Sequence, residues 1–314
     1  MTMNSSSIPQ LADDLSTPPL TLTQLGWLRL RRHKMALFGV VVLLLLVLFS
    51  FGGSLIYTEK YANFNDTSQR LQPPSAQHPF GTDSIGRDIL ARTIYGGQIS
   101  LFIGFVAVLI ETVLGILVGA LAGYYGGAVD AVLMRFTEAL LNIPTIFLLL
   151  VMAKFFGGNI PEIEVAGRVF SGSVVVIVVI IGATSWMYLA RIVRAEFLSL
   201  KEREFILAAR ATGTSNFEII FFHILPNTFA PIIVSSTLSV ANAILAEAYI
   251  SFLGLGVQPP TATWGNMLES SAKYLDSAPW LWFFPGMLIL LTTLSINFLG
   301  DGLRDALDPR SRTV

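Results

Sequence analysis

The apolar positions of the chain fall into six long runs, which shorter polar segments separate. A helix needs about 20 apolar residues to cross the hydrocarbon core of a bilayer, and each run is long enough. The pattern therefore predicts six membrane-spanning helices. Their approximate bounds are 35–56, 99–124, 131–152, 174–197, 229–253 and 280–299.

The polar segments predict how the rest of the chain is organised. Residues 1–24 are rich in Ser, Thr and Pro, and we expect a disordered cytoplasmic tail. Residues 25–56 combine a basic interfacial segment with the first span, and residues 57–98 form an outer loop. Residues 99–300 hold a core of five helices, and residues 301–314 form a second cytoplasmic tail.

Composition and charge agree with a membrane protein of defined orientation. The chain is 53% hydrophobic and 13% charged, whereas soluble domains contain about 25% charged residues. With the N-terminus inside, 13 Lys and Arg residues lie on the cytoplasmic side and 7 on the outer side. Positive charge is enriched on the cytoplasmic side of membrane proteins, so both termini are predicted to be cytoplasmic. The net charge of −1 gives no reason to expect nucleic acid as a partner.

Several kinds of chemistry are missing from the sequence. There is no Cys, no phosphate-binding G-x-x-x-x-G-K-[ST] motif and no nucleophile–base pair that stands out. His33, His78 and His223 lie in different segments, so no metal cluster is visible. We therefore expect no catalytic residues, cofactor or metal.

The cytoplasmic loop 198–228, which we call the coupling loop, has features of a docking surface. The pattern predicts one short helix that stops near Gly213 and a second that opens with the capping box Ser215-x-x-Glu218. Ala208 and Ala209 are small, and small side chains allow the backbone of another protein to approach closely. An ordinary interfacial helix–turn–helix is the alternative interpretation.

The residues of this loop also carry a resemblance. Ala208-Ala209-x-x-x-Gly213 followed by Ile224-Leu225-Pro226 resembles the "EAA" loop of ABC importer permeases. The resemblance implies a coupling helix that docks in a groove of an ATPase subunit. Leu207 stands where the family has Glu, and Glu204 lies one turn earlier and is a candidate replacement.

Three further segments are similar to signatures of one branch of that family. They are 78–88 (HPFGTD…GRD), 251–260 (SFLGLGVQPP) and 299–310 (LGDGLRDALDPR). In this order they resemble the C-type permease of dipeptide, oligopeptide and nickel importers. The resemblance implies an all-α, MetI-like type I permease fold in the inner membrane. It also implies a homologous B-type permease partner, two ABC ATPase subunits and an extracytoplasmic substrate-binding protein.

Two groups of site residues follow from the motifs. The coupling residues that the resemblance implies are Glu204, Leu207, Ala208, Ala209, Arg210, Gly213, Leu225 and Pro226. Glu247, Gly254 and Gly256 are candidates for the translocation path or its gate. Ionisable residues within spans are functional candidates by default, which adds Glu111 and Glu138. Packing or ion pairing is the alternative for each acid.

The function predicted from the resemblance is that of a non-catalytic permease subunit for di- and oligopeptides. The same type of complex importing nickel complexes or glutathione is the first alternative. A stand-alone ion-coupled carrier or channel, and a structural membrane scaffold, are alternatives from other classes. The scarcity of acids in the spans and the docking loop argue against the carrier.

Overall fold

The computed structural model describes residues 22–156, 161, 163–165 and 168–308. The predicted disordered tail, 1–24, lies outside these ranges except for its last three residues. Those three belong to a helix, α1 (Leu22–Arg32), so the tail prediction is wrong for them. Residues 309–314 also lie outside the described ranges.

The fold is almost entirely helical. After α1 come α2 (Lys34–Val47), which a π-helical turn extends to Gly52, and the short α3 (Glu59–Ala62). The remaining helices are α4 (Ile89–Tyr125), α5 (Gly127–Leu141), α6 (Thr145–Phe156), α7 (Gly172–Ser185), α8 (Met187–Leu200), α9 (Glu204–Ala211), α10 (Asn216–Glu218), α11 (Phe229–Phe252), α12 (Trp264–Ser271) and α13 (Trp280–Leu307). A small antiparallel hairpin, β1 (Ile163–Val165) and β2 (Arg168–Phe170), precedes α7.

Among the described residues, four helices are long and apolar enough to span a membrane, and six spans result if each bent pair counts as one. The four are Lys34–Gly52, Ile89–Tyr125, Asn216–Phe252 and Trp280–Leu307. The third predicted span is bent by 87° between α5 and α6, and the fourth by 40° between α7 and α8. Pro144 lies in the first break, where it cannot donate a helical hydrogen bond.

The predicted helix ends need three corrections. The outer loop ends at Asp88 rather than residue 98, because the Asp88 carboxylate accepts from the amide of Ala91 at 2.8 Å and caps α4 there. The last helix continues to Leu307, so most of the predicted tail 301–314 that is described is helical. The second half of the coupling loop continues through π-helical and 3₁₀ turns into α11 without a break.

Helix α4 is the centre of the packing. At about 1.5 Å per residue its 37 residues reach about 55 Å, well beyond a hydrocarbon core of about 30 Å. It packs on α7, α8 and α11, while α13 packs on α2 and α11. Gly115, Gly119 and Gly123 face α8, and a Cβ on Gly123 would lie 2.6 Å from the Cβ of Phe197. These glycines therefore serve close helix packing within the subunit.

Candidate functional site: the coupling loop and the spans it joins

Helix α9 of the coupling loop is anchored by one side and exposed on the other. Ile206 is fully buried and packs in a core cluster with Phe197, Ile219 and Ile224. Glu204, Leu207 and Ala208, at spacings of three and four residues, share the opposite face and are exposed. Leu207 leaves 48% of its surface uncovered.

The remaining predicted coupling residues differ in exposure. Ala209 and Leu225 are half-buried, whereas Arg210, Gly213 and Pro226 are exposed. Pro226 lies in the first turn of the 3₁₀ segment that leads into α11. The structure thus brings all eight predicted residues onto one short helix and the turns that follow it.

A tight turn separates α9 from α10. Gly213 has φ +82°, a conformation that costs a residue with a Cβ about 1–2 kcal/mol. The amide of Thr214 donates to the carbonyl of Ala209 at 3.1 Å and closes the turn. The predicted capping box is confirmed, since Ser215 and Glu218 exchange side-chain and backbone hydrogen bonds at 3.1 and 3.3 Å.

The coupling loop is tied to the end of α4. The hydroxyl of Tyr124 donates to Oδ1 of Asn216 at 2.6 Å. The guanidinium of Arg210 lies over the ring of Tyr124, 5.4 Å from its centroid. The loop therefore has two links to the membrane helices: this polar contact with α4, and the apolar cluster that Ile206 shares with Phe197 of α8. Sequence patterns do not indicate the Tyr124 contact, because Tyr124 and Asn216 are 92 residues apart.

The predicted path residue Glu247 lies in a closed hydrogen-bond network. Its side chain is 0% exposed and accepts hydrogen bonds from Ser251 at 2.7 Å and Ser100 at 3.3 Å. Ser100 also accepts from the backbone amide of Trp264, whose indole donates to the carbonyl of Thr93 at 2.9 Å. This network joins α4, α11 and α12. A path or gate role for Glu247 stays a prediction.

The two predicted gate glycines shape the end of α11. Gly254 has φ +75°, and the amide of Leu255 donates back to the carbonyl of Ile250 at 3.0 Å, so the helix stops here. A Cβ on Gly256 would lie 2.6 Å from the amide nitrogen of Ser251, so the returning chain needs a glycine. Their role in gating also stays a prediction.

Charged residues near the span ends form ion pairs. Glu138 pairs with Arg135 at 3.5 Å at the surface, which is the ion-pairing alternative for this acid. The guanidinium of Arg194 makes two hydrogen bonds to the carboxylate of Asp130, one of them at 2.6 Å. That pairing links α5 to α8.

The motif at 78–88 forms a folded turn over the start of α4. His78 Nδ1 lies 2.8 Å from the carboxylate of Asp88, and Arg87 pairs with Asp83 at 2.6 Å. The ring of Phe80 stacks on Phe284 of α13 at 3.8 Å. This arrangement is that of a structural turn, which contacts α13 and the start of α4.

The outer loop also contains a perturbed carboxyl group. Hydrogen bonds from the side chain and amide of Ser68 hold the pKa of Asp66 below its ordinary value. Among the described residues, no group of three or more His, Cys, Asp or Glu residues is placed to hold a metal ion.

Two family models match the chain. Residues 115–313 match the binding-protein-dependent transport system inner membrane component, and residues 21–74 match the N-terminal transmembrane domain of oligopeptide transport permease C. The first match contains the whole coupling loop, and the second contains α1 and α2.

Curated relatives align over most of the chain. The dipeptide transport system permease protein DppC of Bacillus subtilis (strain 168) is 41% identical over 96% of this chain and 90% of its own length. The oligopeptide transport system permease protein OppC of Haemophilus influenzae (strain ATCC 51907 / DSM 11121 / KW20 / Rd) is 38% identical over 98% of this chain and 96% of its own length.

A solved structure shares the fold. A chain of the inward-facing MetNI methionine ABC transporter superposes with a TM-score of 0.52 and 20% identity, covering 68% of this chain and 94% of that chain. The all-helical architecture, the exposed coupling loop and the extent of both alignments agree. The chain belongs to the family of binding-protein-dependent transport system inner membrane components, and is a non-catalytic, multi-pass subunit of an ABC transport system.

Proposed function

We propose that this chain is the permease subunit of an ATP-driven importer of dipeptides and oligopeptides, and that a homologous permease subunit completes the translocation path. The names of the relatives support the peptide substrate, since DppC and OppC proteins align along nearly the whole chain. Two ATPase subunits dock at the coupling loops of the two permeases, and an extracytoplasmic binding protein delivers the peptide.

The observation that carries the proposal is the structure of α9. One face of this helix is open to a partner, while its other face and its flanking turns contact two membrane helices. A force applied to α9 reaches α4 through Asn216 and Tyr124. It reaches α11 through the continuous helical segment Asn216–Phe252.

This geometry gives a mechanism of alternating access. When ATP brings the ATPase subunits together, each moves the α9 that it holds. The attached ends of α4 and α11 follow, and the cavity between the two permeases changes the side on which it opens. No group of this chain takes part in ATP hydrolysis; its contribution is to transmit movement.

Reconstitution tests the proposal. Proteoliposomes that contain the complete complex, with the binding protein outside and ATP accessible to the ATPase subunits, are expected to accumulate a labelled dipeptide. Ala208→Arg places a long charged side chain on the docking face and is expected to lower uptake at least about tenfold. Ala272→Arg, at an exposed position far from the coupling loop, is the matched control.

Two results would contradict the proposal. Uptake of the dipeptide without ATP would indicate a carrier, and normal uptake by the Ala208→Arg complex would remove the docking role of α9. Uptake of a nickel complex or glutathione with no uptake of any peptide would reject the substrate class and leave the permease role intact.

A further inference from the structure

A cavity lies where the two broken spans meet α4 and α11, and both polar and apolar side chains line it. Its volume is about 370 Å³, within the range of about 300–1,000 Å³ that is typical of small-molecule sites. Thr145 lies at the first break, after α5, and Thr184 and Ser185 lie at the second, before α8. Irregular backbone at membrane depth is tolerated where it is buried in protein or lines a polar cavity.

Among the described residues that line the cavity, one carries a carboxyl side chain. Glu111 of α4 lies in its wall and is 4% exposed, and Ser239 of α11 donates a hydrogen bond to its Oε1 at 2.7 Å. Position 111 is at the middle of the apolar run 99–124, far from either membrane surface. None of the described residues that line the cavity is Lys, Arg or His. A carboxylate so placed favours a cation that enters from outside the chain.

The polar residues of α11 form one face toward this cavity. Ser235, Ser239 and Asn242 are spaced four and three residues apart, and Asn242 is exposed although it lies in a membrane-spanning helix. An exposed amide at this depth indicates contact with water or protein rather than with lipid. The cavity therefore opens on the polar side of the subunit, as a substrate path requires.

We propose that this cavity is a substrate subsite in which the carboxylate of Glu111 binds the free α-ammonium group of the transported peptide. The inference rests on the proposed function and adds the chemical group that the permease recognises. The hydroxyl and amide groups of the wall provide partners for the peptide backbone. A divalent metal is a poor occupant, since it requires several oxygen ligands with more carboxylates than the one present.

The contrast with Glu247 supports the choice of Glu111 as the residue that binds the peptide. Glu247 is also an acid within a span, but it is fully buried and bonded to two serines. Glu111 has Ser239 on one oxygen, and its residue borders a space that a ligand can fill. Tyr188 lines this cavity and also a second groove, nearer the cytoplasmic ends of the helices, which Arg191 lines as well. The cavity and the groove therefore share a wall.

Charge-specific substitutions of Glu111 in the complete complex test the proposal. Glu111→Gln keeps the size and the bond to Ser239 but removes the charge, and uptake of labelled dialanine is expected to fall at least about tenfold. Glu111→Asp restores the charge and is expected to recover most of the uptake. Glu269→Gln, the same change at an exposed position, is expected to stay within about twofold of the wild type. Co-purification of the subunits and the melting temperature show whether each variant is folded.

A binding measurement shows whether the group that Glu111 binds is the α-ammonium group of the peptide. The permease–ATPase complex in nanodiscs is incubated with labelled dialanine, and unlabelled dialanine or N-acetyl-dialanine is added as competitor. The free peptide is expected to compete, the acetylated one to fail, and replacement of sodium by choline to change nothing. Competition by N-acetyl-dialanine equal to that of dialanine, or binding that requires sodium, would overturn the ammonium assignment.

The failures of the two proposals are distinguishable. If the wild-type complex transports dialanine and the folded Glu111→Gln complex does so at the same rate, the subsite proposal is wrong and the proposed function stands. If the wild-type complex transports no peptide, the proposed function fails and the subsite proposal fails with it.

Discussion

The two ends of α4 are built in opposite ways. At the end near Ile89, buried polar groups of α11, α12 and the loop 57–88 close around the helix, with Trp264 and Glu247 fully buried. At the end near Tyr125, the coupling loop leaves much of its surface open, with Phe217 62% exposed and α9 fixed along one side only. The first end, which we call the closed end, is stabilised by its own contacts. The second, which we call the open end, leaves a surface that an ATPase subunit covers under the proposed function.

This comparison predicts that substitutions at the two ends fail in different ways. At the closed end they lower the stability of the subunit, and transport declines because less folded protein is present. At the open end they leave the subunit folded but weaken the link between ATP hydrolysis and peptide movement.

The largest expected loss of stability is at Trp264. Trp264→Ala removes a fully buried indole and its hydrogen bond to Thr93, and large-to-small core substitutions of this kind cost about 3–5 kcal/mol. A thermal melt of the purified subunit measures the loss. Trp282→Ala, at a position 40% exposed, is the control. Equal melting temperatures for the two variants would show that the closed end is not held by its buried groups.

The second largest loss of stability is expected at Glu247. Glu247→Leu leaves the hydroxyls of Ser100 and Ser251 without their acceptor, and an unsatisfied buried group costs about 1–3 kcal/mol. Glu247→Gln keeps one acceptor and is expected to lie between the leucine variant and the wild type in melting temperature. Stable, folded Glu247→Leu protein that fails to transport would instead favour the path role that the sequence suggested.

The acids Glu111 and Glu247, together with the helix bounds, show what the sequence can and cannot predict. The apolar runs located the spans because lipid requires long apolar helices, and the loop motif located α9 because its small residues and caps are local in sequence. Hydropathy placed the start of α4 ten residues late, since Arg92 and Gln98 are polar side chains buried against protein. Glu111 and Glu247 look alike in sequence, and only the distant partners Ser239 and Ser100 distinguish a cavity wall from a closed network.

At the open end, the largest loss of coupling between ATP hydrolysis and import is expected at Gly213. Gly213→Val forces a branched side chain into φ +82°, a strain of about 1–2 kcal/mol, although nothing lies within 4 Å of the added Cβ. The strain is expected to displace α9 and raise the ATP hydrolysed per peptide imported, with little change in the melting temperature of the spans. Gly127→Val, also at positive φ with open space, is the control outside the coupling loop. A similar change in coupling for both variants would contradict a specific role of the turn.

The smallest effect is expected at Tyr124, where one hydrogen bond joins the coupling loop to α4. Tyr124→Phe removes the hydroxyl that contacts Asn216 but keeps the ring beneath Arg210. A single hydrogen bond contributes about 0.5–1.5 kcal/mol, which corresponds to a change in coupling ratio of about twofold to tenfold. Tyr125→Phe makes the same chemical change at the next position, which is 54% exposed, and is expected to leave the ratio unchanged. If both variants hydrolyse the same amount of ATP per peptide as the wild type, movement passes to the membrane helices through the apolar cluster of Ile206 and Phe197 on α8, and the polar contact with α4 is only an accessory to it.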